Sequence, residues 1–104
     1  MAVIRVTEET FAEEVLNTEK TVIADFNADW CGPCRMLAPM LEKVSDEHPE
    51  AKFVSVNIDE NEELADVYDI SSIPCLVVFK GGQEYKRSVG LIPPDAIAAQ
   101  VPVV

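Results

Sequence analysis

Cys31 and Cys34 stand two residues apart, after an apolar run and at the opening of a segment that reads as a helix. Cysteine reacts as its thiolate, and a helix start offers unpaired N–H groups and partial positive charge that stabilise an anion. Cys31 is therefore expected at this N-terminus as the more thiolate-prone of the two, with Cys34 about one turn further in and more enclosed. The two sulfurs are close enough in sequence to close a small disulfide ring. The pair reads as a reversible dithiol/disulfide switch, in which Cys31 attacks a partner's disulfide and Cys34 resolves the mixed disulfide. The bland alternative is two inert reduced thiols.

A structural zinc site generally takes four ligands, and only Cys75 and His48 remain as favoured types, without a second closely spaced pair. Covalent haem attachment calls for His after the second cysteine, where Arg35 stands. No metal and no other cofactor is expected. Between the cysteines, Gly32 lets a partner chain approach the sulfur, and Pro33, lacking a donor, suits an early helix position. Trp30 offers an apolar ledge beside the pair, with ordinary packing as the alternative. Asp25 interrupts an otherwise apolar strand, so a buried carboxyl with a raised pKa is expected there, the alternative being a strand-end residue that reaches water.

The elements that must position these residues follow from periodicity. Val3 to Val6 is a short β-branched strand, after which Thr7 can cap a helix carrying Phe11, Val15 and Leu16. Thr21 to Ala28 is apolar at its start without clean alternation, as for a strand covered on both faces. Met36, Leu37, Met40, Leu41 and Val44 mark the expected buried stripe of a long helix, with Pro39 inside it. Lys52 to Ile58 is a third strand, and Asn61 can cap a short acidic helix bearing Leu64, Val67 and Tyr68. Cys75 to Phe79 and Gln83 to Val89 flank Gly81-Gly82 as a tight antiparallel hairpin. Pro94 to Gln100 leaves room for one short helix before Pro102. The order βαβαβα then ββα implies an α/β fold: a mixed sheet of parallel strands plus an antiparallel hairpin, with helices on both faces.

The bulk composition bounds the partners. A chain of 104 residues, nearly half of them hydrophobic, suits one folded domain spanning 1–104. Eight basic against nineteen acidic residues give a net charge of −11, which argues against nucleic acid as a partner. The excess is first of all a solvated surface, and it favours partners with basic surfaces. Three cysteines do not make a disulfide-stapled framework, and the opening residues lack the features of a signal peptide. No run reaches membrane-spanning length. A soluble cytoplasmic monomer without membrane contact is the expectation.

The run Ala24-Asp25-Phe26-Asn27-Ala28-Asp29-Trp30-Cys31-Gly32-Pro33-Cys34 closely resembles the active-site segment of bacterial-type thioredoxins. Asn57-Ile58-Asp59, Ile73-Pro74, Val77-Val78-Phe79-Lys80 and Val89-Gly90 resemble further segments of that family, in its order and at its approximate spacings. The resemblance implies a thioredoxin fold with three parallel strands and a hairpin. It also implies a protein-disulfide reductase whose clients carry disulfides and whose dithiol is restored by a thioredoxin reductase. Asp25 becomes the proton acceptor and donor for Cys34, and Ile73-Pro74 a cis-proline loop facing the nucleophile. Ile58, Ile73, Val89, Gly90 and Leu91 match the family's substrate groove.

Three departures stand out. Asn27 occupies a position where the family commonly has an aromatic ring, Ser55 one where many members have lysine, and Cys75 one where threonine is usual. Without that lysine, Asp25 is expected to stay protonated to higher pH. Without the ring, looser packing of the active-site loop is expected. Cys75 reads as a small buried hydrophobe, or else as a third thiol able to divert a mixed disulfide. Two other readings stay open: a relative dedicated to a narrow client, and a binding subunit whose cysteines are dispensable.

Overall fold

The structure, a computed structural model, describes residues 2–101. Pro102, expected to stop the last helix, lies outside the described residues. Five strands form one sheet: β1 (Val3–Arg5), β2 (Val22–Asn27), β3 (Lys52–Asn57), β4 (Cys75–Lys80) and β5 (Gln83–Val89). Their order is β1-β3-β2-β4-β5, with β1, β3 and β2 parallel and β4 and β5 antiparallel. This is the mixed sheet that the order of elements implies.

The unalternating apolar runs sit where both faces are covered. Val22 to Phe26 in β2 and Cys75 to Phe79 in β4 are buried without interruption. Val22, Ala24, Phe26, Val54, Val56, Val77 and Phe79 line one face, together with Phe11 and Val15, and Leu64 and Tyr68 pack against that face. Tyr68 meets Phe79 edge-on at 5.3 Å between ring centres, and Phe11 lies 5.5 Å from Tyr68. Ile23, Phe53, Leu76 and Val78 line the other face, beneath Leu37, Leu41 and Val44 of α1 (Gly32–Glu47) and Ile97 of α3 (Pro94–Ala98). Because side chains alternate along a strand, Asp25 and Asn27 share this second face with Ile23. The parallel register sets Ser55 directly across from Asp25.

The helices differ locally from expectation. Thr7 does not cap with its side chain: its hydroxyl donates to Glu9, and its carbonyl accepts from the Thr10 and Phe11 amides. The helical turn that follows, Ala12–Leu16, is wound as a π-helix closed by Asn17 N–H to Ala12 O at 2.9 Å. α2 (Glu62–Val67) starts at Asn61, yet the Asn61 side chain is turned away to Glu8 N and Asn57 O. Met36 and Val67 are exposed: the buried stripe of α1 runs through Cys34, Leu37, Leu41 and Val44, while in and just after α2 it is the half-buried Leu64 and Tyr68 that pack on the core. α1 continues through Pro39, which lies on its exposed side.

Gly81 and Gly82 both take positive φ, 60° and 79°, as the hairpin requires. At Gly82 space adds a second demand: a Cβ would lie 2.6 Å from the Leu16 carbonyl oxygen. β5 is exposed along most of its length, so the hairpin closes the sheet with one side open.

Candidate active site

β2 delivers the chain from the core to the site. The Asn27 carbonyl accepts the Ile58 N–H at 2.9 Å, and the Ala28 carbonyl accepts the Cys31 N–H at 3.2 Å. Cys31 then stands as the N-cap of α1 in an extended conformation, and its sulfur accepts the Cys34 backbone N–H at 3.2 Å. Gly32 and Pro33 fill the first two helical positions, where Pro33's missing donor leaves no helical bond unmade. Nothing lies within 4 Å of the point a Cβ on Gly32 would occupy, so the approach over the motif is open.

Cys31 and Cys34 are joined as a disulfide, the oxidised half of the expected switch. Both residues are buried, Cys31 at 5% exposed and Cys34 at 4%, so the expected contrast in exposure is absent. Ala28 is buried with them, and Ile58 and Ile73 pack against all three.

A polar frame holds the rim, and sequence reasoning did not assign it. The Trp30 indole N–H donates to Asp59 at 2.9 Å while the ring stays 67% exposed. Asn57 is buried, accepts the N–H groups of Asp59 and Glu60, and donates to the Asp29 carboxylate at 3.3 Å. Arg35 donates to the Asp29 carbonyl at 2.7 Å. The signal was present: Asn at a strand end with Asp two residues on is an Asx-turn pattern.

Asp25 lies on β2 below the disulfide and is 3% exposed. One carboxylate oxygen, Oδ1, is buried with no hydrogen-bond partner among the described residues. Burial pushes its carboxyl up to about 7 from the ordinary 3.8, with the Asn27 side chain opposing the rise. A cavity of about 250 Å³ joins Asp25 to Cys34, bounded also by Asn27, Ala28, Ala38 and Ser55. A second, of about 270 Å³, extends from Asp25 towards Arg5 and Glu42.

The Ile73–Pro74 peptide is cis. Pro74 is buried, and its carbonyl accepts the Gly90 N–H at 2.8 Å, tying the end of β5 to the loop. Val89 pairs with Cys75 and is exposed, as is Leu91; neither joins the cluster around the cysteines. The structure therefore brings Ile58, Ile73 and Ala28 onto the sulfurs and leaves Val89 and Leu91 on the surrounding surface. Cys75 is free, 1% exposed and part of the opposite core face, where burial pushes its thiol up. His48 ends α1, with its imidazole 3.0 Å from the Glu50 carboxylate.

The thioredoxin family model matches residues 2–102. The chain belongs to the thioredoxin family. It is similar to thioredoxin 1 of Nostoc sp. (strain PCC 7120), with 44% identity over 93% of this chain and 92% of that protein. It is also similar to the thioredoxin of Bacillus subtilis (strain 168), 43% identical over 93% of this chain and 92% of the relative. The thioredoxin of Mycoplasma genitalium is 45% identical over 82% of this chain and 83% of its own length.

Members of this family are dithiol–disulfide oxidoreductases, and the bonded pair at the head of α1 is the group that chemistry needs. The chain is a protein-disulfide reductase: its targets carry disulfides and a reductase restores its dithiol. Among the described residues no helix is long and apolar enough to cross a membrane, and no three His, Cys, Asp or Glu side chains gather as a metal site.

Proposed function

We propose that Cys31 is the attacking thiolate, Cys34 the resolving thiol, and Asp25 the group that takes and returns the Cys34 proton. The supporting observation is the disulfide at the N-cap of α1, connected by one cavity to a buried carboxyl with an unpartnered oxygen. In the first step the Cys31 thiolate attacks one sulfur of a client disulfide, whose other sulfur leaves as a thiolate. Asp25 then accepts the Cys34 proton, and the Cys34 thiolate attacks the Cys31 sulfur of the mixed disulfide. The client's second sulfur departs and takes up the proton. The client gains two electrons and the Cys34 proton, its first thiolate takes a further proton from solvent to the extent its own pKa dictates, and the pair is left as the disulfide seen here.

Trp30, Ile58, Ile73, Pro74, Val89, Gly90 and Leu91 form the client surface in this reading. Exposed Trp30, Val89 and Leu91 supply apolar contact, and the open space over Gly32 admits an extended chain. The protein acts as a single-domain monomer in the cytoplasm. Support comes from a free Cys75, which fits a reducing compartment, and from a packed core cluster on each face of the sheet within the described residues. Cys75 in the core leaves the narrow-client reading resting on Asn27 alone.

Trapping tests the division of labour. The Cys34→Ser variant, mixed with a disulfide-bearing protein, should accumulate a covalent complex through Cys31 that dithiothreitol releases. Cys31→Ser should form none. Equal trapping by both variants would overturn the assignment.

A further inference from the structure

Each cycle of the proposed mechanism consumes one proton at Cys34. It leaves with the client, and a new one must reach Cys34 when the reductase returns the pair to the dithiol. In that reading an extended client lies over Gly32 and covers the front of the site, while Asp25 is buried beneath the disulfide. Asp25 therefore needs a route to solvent away from the client.

Such a route runs sideways, to the β1 edge of the sheet. Arg5 pairs with Ser55 and Ser55 with Asp25, so these three side chains stand in one row on the face under α1. Above them, Cys34, Ala38 and Glu42 recur every four residues and share one face of the helix. The small Ala38 lines both cavities, and the one of about 270 Å³ runs from Asp25 to Glu42 and the exposed Arg5. Two carboxylate oxygens of its lining residues, Asp25 Oδ1 and Glu42 Oε2, are buried with no hydrogen-bond partner among the described residues. An unpartnered buried oxygen is costly, and two on one cavity call for a shared donor. The Asn27 amide is already spent on the Ser55 hydroxyl at 2.8 Å and the Asp25 backbone carbonyl at 2.9 Å. Ser55 accepts in that bond, which leaves its own proton to donate. Water meets the demand: a polar cavity of this volume holds several molecules, each bonded to two or more polar groups.

We propose that this cavity is a water-filled proton passage between Asp25 and solvent, with Ser55 and Glu42 as the positioning residues that hold its water. The inference rests on the reading that Asp25 handles the Cys34 proton. To reload Asp25, a protonated Glu42 gives its proton to the adjacent water while a water at the other end protonates the Asp25 carboxylate. Glu42 then regains a proton from bulk solvent. The reverse order discharges Asp25, and no electrons move. Arg5 and Asp29 line the same passage, Arg35 lines the neighbouring cavity, and Cys75 on β4 senses the Asp25 charge. None of these is hydrogen-bonded to either unpartnered oxygen.

Two measurements test the passage. Leu41 lines it and is 1% exposed, so water touching the Leu41 methyl groups is internal. In the oxidised native protein those methyls should show NMR cross-relaxation with water, and Ser55→Val, which puts methyl groups into the passage, should lose it. Absence of the signal in the native protein, or its survival in Ser55→Val, would overturn the proposal. The second measurement is dithiothreitol-driven turnover on insulin at fixed pH and ionic strength, with imidazole raised as a small proton carrier. The native rate should not depend on imidazole. Glu42→Gln should turn over several-fold more slowly at low imidazole and recover as imidazole rises, and Glu42→Asp, which keeps a carboxylate, should stay near native. A native rate for Glu42→Gln at low imidazole, or a loss that imidazole leaves in place, would overturn the passage. The wider reading has its own readout: Asp25→Asn should flatten the pH dependence of disulfide reduction, and an unchanged profile would remove Asp25 from the proton step whatever the passage holds.

Discussion

At the scale of single residues, Asp25 carries the sharpest consequence. Its folded carboxyl, near 7, lies above the ordinary 3.8, so between those values the native state holds a proton that the unfolded chain has released. The associated stability is complete below about pH 4 and is lost as pH rises through 7. Three units correspond to roughly 4 kcal/mol. Asp25→Asn should therefore stabilise the fold more at pH 8 than at pH 4, as read from urea midpoints at the two values. An equal effect at both would show that the carboxyl titrates normally. The cysteine pair and Asp25 were legible because each breaks a local rule: two close thiols at a helix start, and a carboxyl inside an apolar strand. The Asn27–Ser55 bond was not legible. It joins residues 28 apart in sequence and depends on which strands are neighbours.

At the scale of elements, the hairpin and the π-helical turn are joined by a close approach. Gly82 has φ +79° and stands where a Cβ would lie 2.6 Å from the Leu16 carbonyl. Gly82→Ala should cost roughly 2 kcal/mol or more, from the left-handed backbone and the contact together. Gly81→Ala meets open space and should cost less. Thermal unfolding of both variants checks the order, and a larger loss at Gly81 would contradict it. Sequence placed each strand to within a residue or two at its ends, because apolar runs bounded by polar turns are a strong local signal. The buried stripes were less well read. Met36 and Val67 have the right chemistry for a core but sit off the packed line of their helices. Asn61 is the N-cap by position, yet its side chain serves the contact between Glu8 and the end of β3, which no local pattern encodes.

At the scale of the whole molecule, topology and charge set how the site is presented. The strand order β1-β3-β2-β4-β5 places β2 centrally, so Asp25 is covered by both neighbours and by α1, while the cysteines emerge at the end of that same strand. Element order alone pointed to a mixed sheet but not to which strand takes the centre, and that position is what buries Asp25. The net charge of −11 should speed encounter with basic clients. Reduction of a basic disulfide protein should slow as salt rises, and that of an acidic one should change little or quicken, as measured by initial rates over an ionic-strength series. Identical salt dependence for both would leave the charge as surface solvation only.

Reduction of a client requires the Cys31–Cys34 pair to act as a catalytic dithiol. The most direct test is insulin disulfide reduction driven by dithiothreitol, with the native protein and Cys31→Ser side by side. The native protein should accelerate reduction well above dithiothreitol alone, and Cys31→Ser should fall to that background. Equal rates for native, variant and dithiothreitol alone would contradict the reductase mechanism built on this site.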